Sequence, residues 1–110
     1  MKQLPAEIYK IKDKILNTVK VSKIYLFGSY ARGTQTPQSD YDFYVVVPND
    51  SMRPLKVAQK IYCSLAEEHI SVPVDILASY EKDFEKDKNI QLTIEQTIKN
   101  EGILLYEQCK

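Results

Sequence analysis

Segments with apolar residues at helical spacing alternate along the chain with short strand-like runs, so the sequence predicts helices and strands in turn. Apolar residues recur every three or four positions in residues 5–19, in residues 54–69, and around Ile90, Ile94 and Ile98 before Gly102, so we predict three amphipathic helices. Runs rich in β-branched and aromatic residues predict four strands, at residues 23–27, 41–47, 72–77 and 103–106. A proline near the start of the third run favours an edge strand there.

This order of elements predicts an α/β (α+β) sandwich, a mixed sheet of about four strands with helices packed against it. With 110 residues, 44% of them hydrophobic, we expect residues 1–110 to form a single minimal domain. Residues 81–88 alternate in charge sign, which predicts a solvated helical turn or loop. The chain has neither a signal-peptide stretch nor an apolar run long enough for a membrane, and we predict a cytoplasmic protein.

Composition excludes several classes of function. Fifteen basic and fifteen acidic side chains balance, so no overall field attracts the chain to nucleic acid, and we do not expect direct nucleic-acid binding. Cys63 and Cys109 lie far apart in sequence, without ligands at metal-binding spacing, and are predicted to be reduced thiols. A chain this short has little room for a separate acceptor-binding domain, so a large substrate must be held by something else.

Candidate chemistry lies in residues 28–47, GSYARGTQTPQSDYDFYVVV. Gly28 and Ser29 follow a strand and open a helical turn, where backbone amides and a hydroxyl can bind phosphate oxygens. An unliganded Gly-Ser turn is the alternative. Tyr30 and Tyr41 flank the motif and are candidates for stacking on a base or on a partner.

Three aspartates are the candidate metal ligands. Asp40 and Asp42 lie two positions apart at the start of a strand and so point to the same face, where two carboxylates require a compensating cation or open solvent. With the phosphate turn just upstream, a shared divalent metal is the favoured interpretation. Asp75 interrupts an apolar strand, and it either joins these two carboxylates around Mg²⁺ or faces water at a sheet edge.

The combined motif resembles the signature of the DNA polymerase β-type nucleotidyltransferase superfamily. The motif residues are Gly28, Ser29, Ala31, Gly33, Ser39, Asp40 and Asp42, and Asp75 matches the aspartate of the family's third strand. Chain length and the ending IKNEGILLYE resemble the minimal, MNT-type members, which are the antitoxin components of HEPN/MNT toxin-antitoxin pairs.

The resemblance implies ATP bound through Gly28 and Ser29, Mg²⁺ ions at a two-metal site held by the three aspartates, and Asp75 activating the acceptor hydroxyl. Arg32 and Ser39 complete the nucleotide-binding candidates, although Arg32 is equally compatible with a solvated surface position. Ser39 suits a turn cap that orients Asp40 better than a substrate contact.

We expect AMP transfer from ATP to a hydroxyl of a partner HEPN toxin, a tyrosine in this family, within a hetero-oligomer of the two proteins. Two alternatives stay open. One is a binding-only antitoxin that occludes its partner, and the other is a nucleotidyltransferase that modifies small molecules such as antibiotics.

Overall fold

The computed structural model describes residues 4–108. Its elements in chain order are α1 (Ala6–Thr18), β1 (Lys23–Phe27), α2 (Ser29–Arg32), β2 (Tyr41–Val47), α3 (Pro54–Leu65), β3 (Val74–Tyr80), α4 (Glu81–Asp87), α5 (Ile94–Glu101) and β4 (Ile103–Glu107). The predicted alternation of helices and strands is confirmed.

The four strands form one mixed sheet in the order β3-β2-β1-β4. Strand β1 is antiparallel to both β2 and β4, whereas β2 and β3 are parallel. A parallel pair needs a crossover connection, and α3 supplies it. Because β3 has a single neighbour, it is an edge strand, as the proline before it predicted.

The sheet is covered on both faces. Helices α1 and α3 bury Ile8, Ile11, Ile15 and Ile61 against one face. Helices α4 and α5 pack on the other face, where Tyr44, Val46, Phe84 and Ile98 form a second, smaller cluster. Residues 43–47 of β2 are all buried, because this central strand has packed layers on both sides.

Several element boundaries differ from the predictions. The charged segment 81–88 is helical but is not simply solvated, because Phe84 anchors α4 at 2% exposure between the rings of Tyr25 and Tyr44, with centroids 5.5 and 5.4 Å away. One buried aromatic residue provides the contact that a charge pattern does not indicate. Helix α5 begins at Ile94 rather than near Ile90, since the Thr93 side chain accepts a hydrogen bond from the Gln96 amide and caps the helix there.

The remaining differences are shifts at element ends. Helix α3 ends at Leu65, short of the predicted 69, and β3 spans Val74–Tyr80 instead of 72–77. Cys63 is an exposed free thiol, whereas Cys109 lies outside the described residues. Within residues 4–108, none of the helices has the length and apolar character needed to cross a membrane.

Candidate nucleotidyl-transfer site

A tight turn follows β1 and begins the candidate site. Gly28 adopts φ +75°, a conformation that favours glycine, and its carbonyl accepts hydrogen bonds from the amides of Ala31 and Arg32 at 3.1 Å each. A Cβ at this position would collide with the side-chain carboxylate of Asp42. Glycine is therefore required both by the backbone conformation and by the close approach of the turn to Asp42.

Strand pairing places Asp42 and Asp75 side by side. Asp42 is opposite Phe27 of β1 and opposite Asp75 of β3, so the turn and both carboxylates lie in one row across the sheet. Asp42 is half-buried and Asp75 is exposed on the edge strand. Asp75 therefore faces solvent at a sheet edge and also adjoins a second carboxylate.

Burial and like charge perturb Asp42 strongly. Its pKa is raised to about 6, first by burial and then by the neighbouring Asp75 carboxylate, with a further contribution from Asp40. Arg32 opposes the shift through its positive charge. Asp75, Asp40 and Arg32 are therefore all within electrostatic range of Asp42, and burial together with the two carboxylates outweighs the effect of Arg32.

The remaining candidates lie around this pair. Asp40 is exposed and directly precedes β2. Ser39 Oγ accepts a hydrogen bond of 2.8 Å from the Thr36 amide, and the Ser39 amide donates to the Thr36 carbonyl at 3.0 Å. Ser39 therefore closes the turn that delivers Asp40 to the strand. Ser29 is half-buried in the first turn of α2, whose first amides have no acceptor inside the helix.

The chemistry of these residues fits a hard divalent cation. Asp40, Asp42 and Asp75 offer only carboxylate oxygens, the ligands that Mg²⁺ prefers. Burial and the neighbouring carboxylates raise the pKa of Asp42, and a bound cation would oppose both effects. Among residues 4–108, however, no three His, Cys, Asp or Glu side chains are already gathered as a metal-binding cluster. The candidate ligands are therefore Asp42, with Asp40 just before the same strand and Asp75 opposite it on β3.

Sequence reasoning missed how the two tyrosines of the motif are used. Tyr30 and Tyr41 contact each other, with ring centroids 5.2 Å apart, and Tyr41 is only 3% exposed. The Tyr41 hydroxyl donates a 2.7 Å hydrogen bond to Glu7, which also accepts bonds from the amide and hydroxyl of Ser71. Tyr41 is thus an interior residue and does not stack on a base. No spacing rule links residues this far apart, so the sequence carried no signal for the contact.

A cavity of about 500 Å³ lies elsewhere, at the opposite end of the sheet. Lys23, Val46, Phe84 and Glu107 are among its lining residues, and none of the candidate site residues lines it. The aspartates therefore lie in a different part of the molecule.

A mixed sheet that places a glycine turn beside paired strand carboxylates is the arrangement expected of a nucleotidyltransferase. The nucleotidyltransferase domain model matches residues 8–105, so the chain belongs to this family. No curated protein matches the chain.

Solved structures with the same fold agree. A toxin-antitoxin crystal structure with AMP-PNP is 26% identical, with a TM-score of 0.60 over 91% of this chain and 73% of that one. A tyrosine-to-alanine mutant of the toxin-antitoxin MntA-HpeT is also 26% identical, with a TM-score of 0.58 over 96% and 75% of the two chains. A proposed nucleotidyltransferase from Sulfolobus solfataricus is 19% identical, with a TM-score of 0.60 over 98% and 93%. The last of these supports the fold alone.

Proposed function

We propose that this nucleotidyltransferase transfers AMP from Mg²⁺-bound ATP to a tyrosine hydroxyl of a HEPN-type toxin and thereby acts as an antitoxin. The observation that carries the proposal is the row formed by the Gly28 turn, Asp42 and Asp75. Two structural neighbours at 26% identity are toxin-antitoxin proteins, and one of them is described with AMP-PNP, which supports this choice of partner and nucleotide.

Each carboxylate has a distinct role in the proposed reaction. Asp42 is half-buried beside the turn, and with Asp40 it would hold a metal ion that accompanies the triphosphate. Asp75 is exposed at the sheet edge, where an acceptor can approach, and would accept the proton of the attacking hydroxyl as well as ligate metal. A bound cation would supply the positive charge that the attacking oxygen and the leaving group require.

The proposed transfer forms one bond to the α-phosphorus of ATP and breaks another. The acceptor oxygen forms a bond to the α-phosphorus while the bond from that phosphorus to the β-phosphate oxygen breaks. Diphosphate leaves, and the hydroxyl proton passes to Asp75. Gly28 and Ser29 would hold phosphate oxygens, Arg32 would add positive charge near the triphosphate, and Ser39 would keep Asp40 in place through its turn.

An exposed apolar segment favours a protein acceptor over a small molecule. Ile90, Leu92 and Ile94 are 47%, 100% and 40% exposed in the connection before and into α5. Leu92 also adopts φ +69°, a strained conformation for a residue with a branched side chain. Ile98 of α5 packs with Val46 on the face of the sheet that carries Asp42. A protein surface can cover such a segment, whereas an antibiotic-sized acceptor leaves most of it in water.

The test is transfer from α-labelled ATP to a co-expressed HEPN-type toxin, read by labelling and by intact mass. We expect one or more AMP groups on the toxin. The Asp75→Asn variant should keep most of its affinity for Mg²⁺-ATP and lose roughly 100- to 10,000-fold in transfer rate, because proton removal matters mainly in the transition state. Asp50→Asn, which removes one exposed acidic charge after β2, is the matched control and should transfer normally.

Three results would contradict the proposal in different ways. Transfer by Asp75→Asn at the parental rate excludes the role assigned to this carboxylate. Full neutralisation of the toxin by an Asp42→Asn variant that transfers nothing identifies a binding-only antitoxin. Efficient modification of an aminoglycoside with no label on the toxin identifies a small-molecule enzyme.

A further inference from the structure

The buried Tyr41 side chain lies where the three segments of the candidate site meet. Its neighbours in sequence are Asp40 and Asp42, its ring contacts Tyr30 of α2 at 5.2 Å, and its hydroxyl donates to Glu7 at 2.7 Å. Its amide donates to the Pro73 carbonyl at 3.0 Å, just before β3. Tyr41 therefore contacts the helical turn after Gly28, lies between two metal-ligand candidates in sequence, and is hydrogen-bonded to the residue before β3.

Glu7 extends this connection to β3. Its two carboxylate oxygens accept hydrogen bonds from the Tyr41 hydroxyl and from both the amide and the hydroxyl of Ser71. These bonds, those of Ser71 first, hold the pKa of Glu7 below its usual range, so the carboxylate stays ionised as an acceptor.

We infer that Tyr41, held by Glu7, is a positioning residue that sets the distance between the nucleotide turn and the carboxylates on β2 and β3. The inference rests on the proposed function. Tyr41 touches neither substrate nor metal, because its side chain lies on the face covered by α1 and α3, opposite to that of Asp42. It acts through the backbone of Asp42 and through the ring of Tyr30.

The chain offers a closely matched control on the same strand. The Tyr44 hydroxyl, like that of Tyr41, is hydrogen-bonded to a glutamate and close to a serine, with Glu95 and Ser79 both at 2.8 Å. Tyr44 is also buried, at 1% exposure, but it lies further along β2 and packs on Phe84. Phenylalanine at either position removes one hydroxyl and its glutamate bond while the ring remains.

The first experiment compares Tyr41→Phe with Tyr44→Phe in transfer to the toxin and in urea unfolding. We expect both variants to lose similar stability. Tyr41→Phe should lose roughly 10- to 100-fold in kcat with little change in KM for ATP, because the reacting groups are misplaced while the ring contact is kept. Tyr44→Phe should keep the parental kcat. Equal kcat values for the two variants would show that the Tyr41 hydroxyl does not position the reacting groups.

The second experiment requires no transfer activity. Calorimetry with Mg²⁺ and AMP-PNP compares Tyr30→Leu, which removes the ring contact to Tyr41, with Tyr25→Leu, which removes a similar contact to Phe84. We expect the first variant to bind roughly 10-fold more weakly and the second to bind normally. Equal affinities would overturn the inference even if the wild-type protein transfers nothing, whereas an inactive wild-type protein with the expected difference in affinity would count against the proposed function alone.

Discussion

Replacing Asp42 by asparagine should make the metal-free protein more stable while removing its activity. In the folded protein the pKa of Asp42 is raised to about 6, mainly by burial and by Asp75, from an ordinary value of 3.8. The folded state therefore binds a proton more tightly than the unfolded state, and ionised Asp42 destabilises the fold. Asparagine has nearly the same shape and carries no charge, so it avoids this destabilisation.

The expected gain in stability can be calculated from the raised pKa of Asp42. A difference of about 2 pKa units corresponds to roughly 3 kcal/mol, and solvent screening at this half-buried position reduces it to about 1–2 kcal/mol. The penalty is absent below about pH 4, where Asp42 is protonated in both states, and complete above about pH 6. The gain of Asp42→Asn should therefore be about 1–2 kcal/mol at pH 7.5 and close to zero at pH 3.5.

Urea unfolding at these two pH values, with EDTA present, measures the difference. Asp50→Asn is the control, since it removes the same formal charge at an exposed position. A variant no more stable than the parent at pH 7.5, or a gain of equal size at pH 3.5, would refute the reasoning. Adding Mg²⁺ and AMP-PNP should stabilise the parent and leave the Asp42→Asn variant nearly unchanged.

Three further predictions concern the turn, the exposed segment and the second cluster. Gly28→Ala should lose measurable AMP-PNP binding in calorimetry and fall in stability, because the new Cβ meets the Asp42 carboxylate at a positive φ; a variant that binds normally contradicts the assigned close approach. Leu92→Asn should weaken co-purification with the toxin without loss of stability in thermal unfolding, since asparagine tolerates the φ of +69° better than leucine; unchanged co-purification would remove the segment from the interface. Tyr44→Phe should lower the free energy of unfolding by about 1 kcal/mol at neutral pH, and a urea curve that superimposes on the parental one would show that the hydroxyl contributes nothing.

The sequence predicted the parts of the molecule that depend on local pattern. The strand through residues 41–47 and the Gly28 turn are encoded by neighbouring residues, and both are confirmed. The packing of helix α4 was missed because it depends on Phe84 reaching Tyr25 and Tyr44, residues 59 and 40 positions away in the chain. The ends of β3 differ from the prediction for the same reason, since pairing with a neighbouring strand decides where a strand begins and ends.

The candidate site divides in the same way. Spacing alone suggested that Asp40 and Asp42 act together, and a carboxylate in an apolar run drew attention to Asp75. Sequence spacing does not indicate the parallel register that sets Asp42 opposite Asp75, or the approach of the Gly28 turn to Asp42. The register depends on the crossover through α3, and the approach of the turn depends on the antiparallel pairing of β1 with β2.

The burial of β2 on both faces links accurate folding to chemical competence. A slip of one residue against its neighbours would turn Asp42 towards the layer of α1 and α3 and would turn Tyr41 out of it. An ionised carboxylate without a partner in that layer costs several kcal/mol, about as much as a small domain can lose before it unfolds. Misaligned molecules are therefore removed by their own instability, and those that remain folded present the reacting groups in the same alignment. The correct register of β2 is therefore selected by the stability of the fold itself.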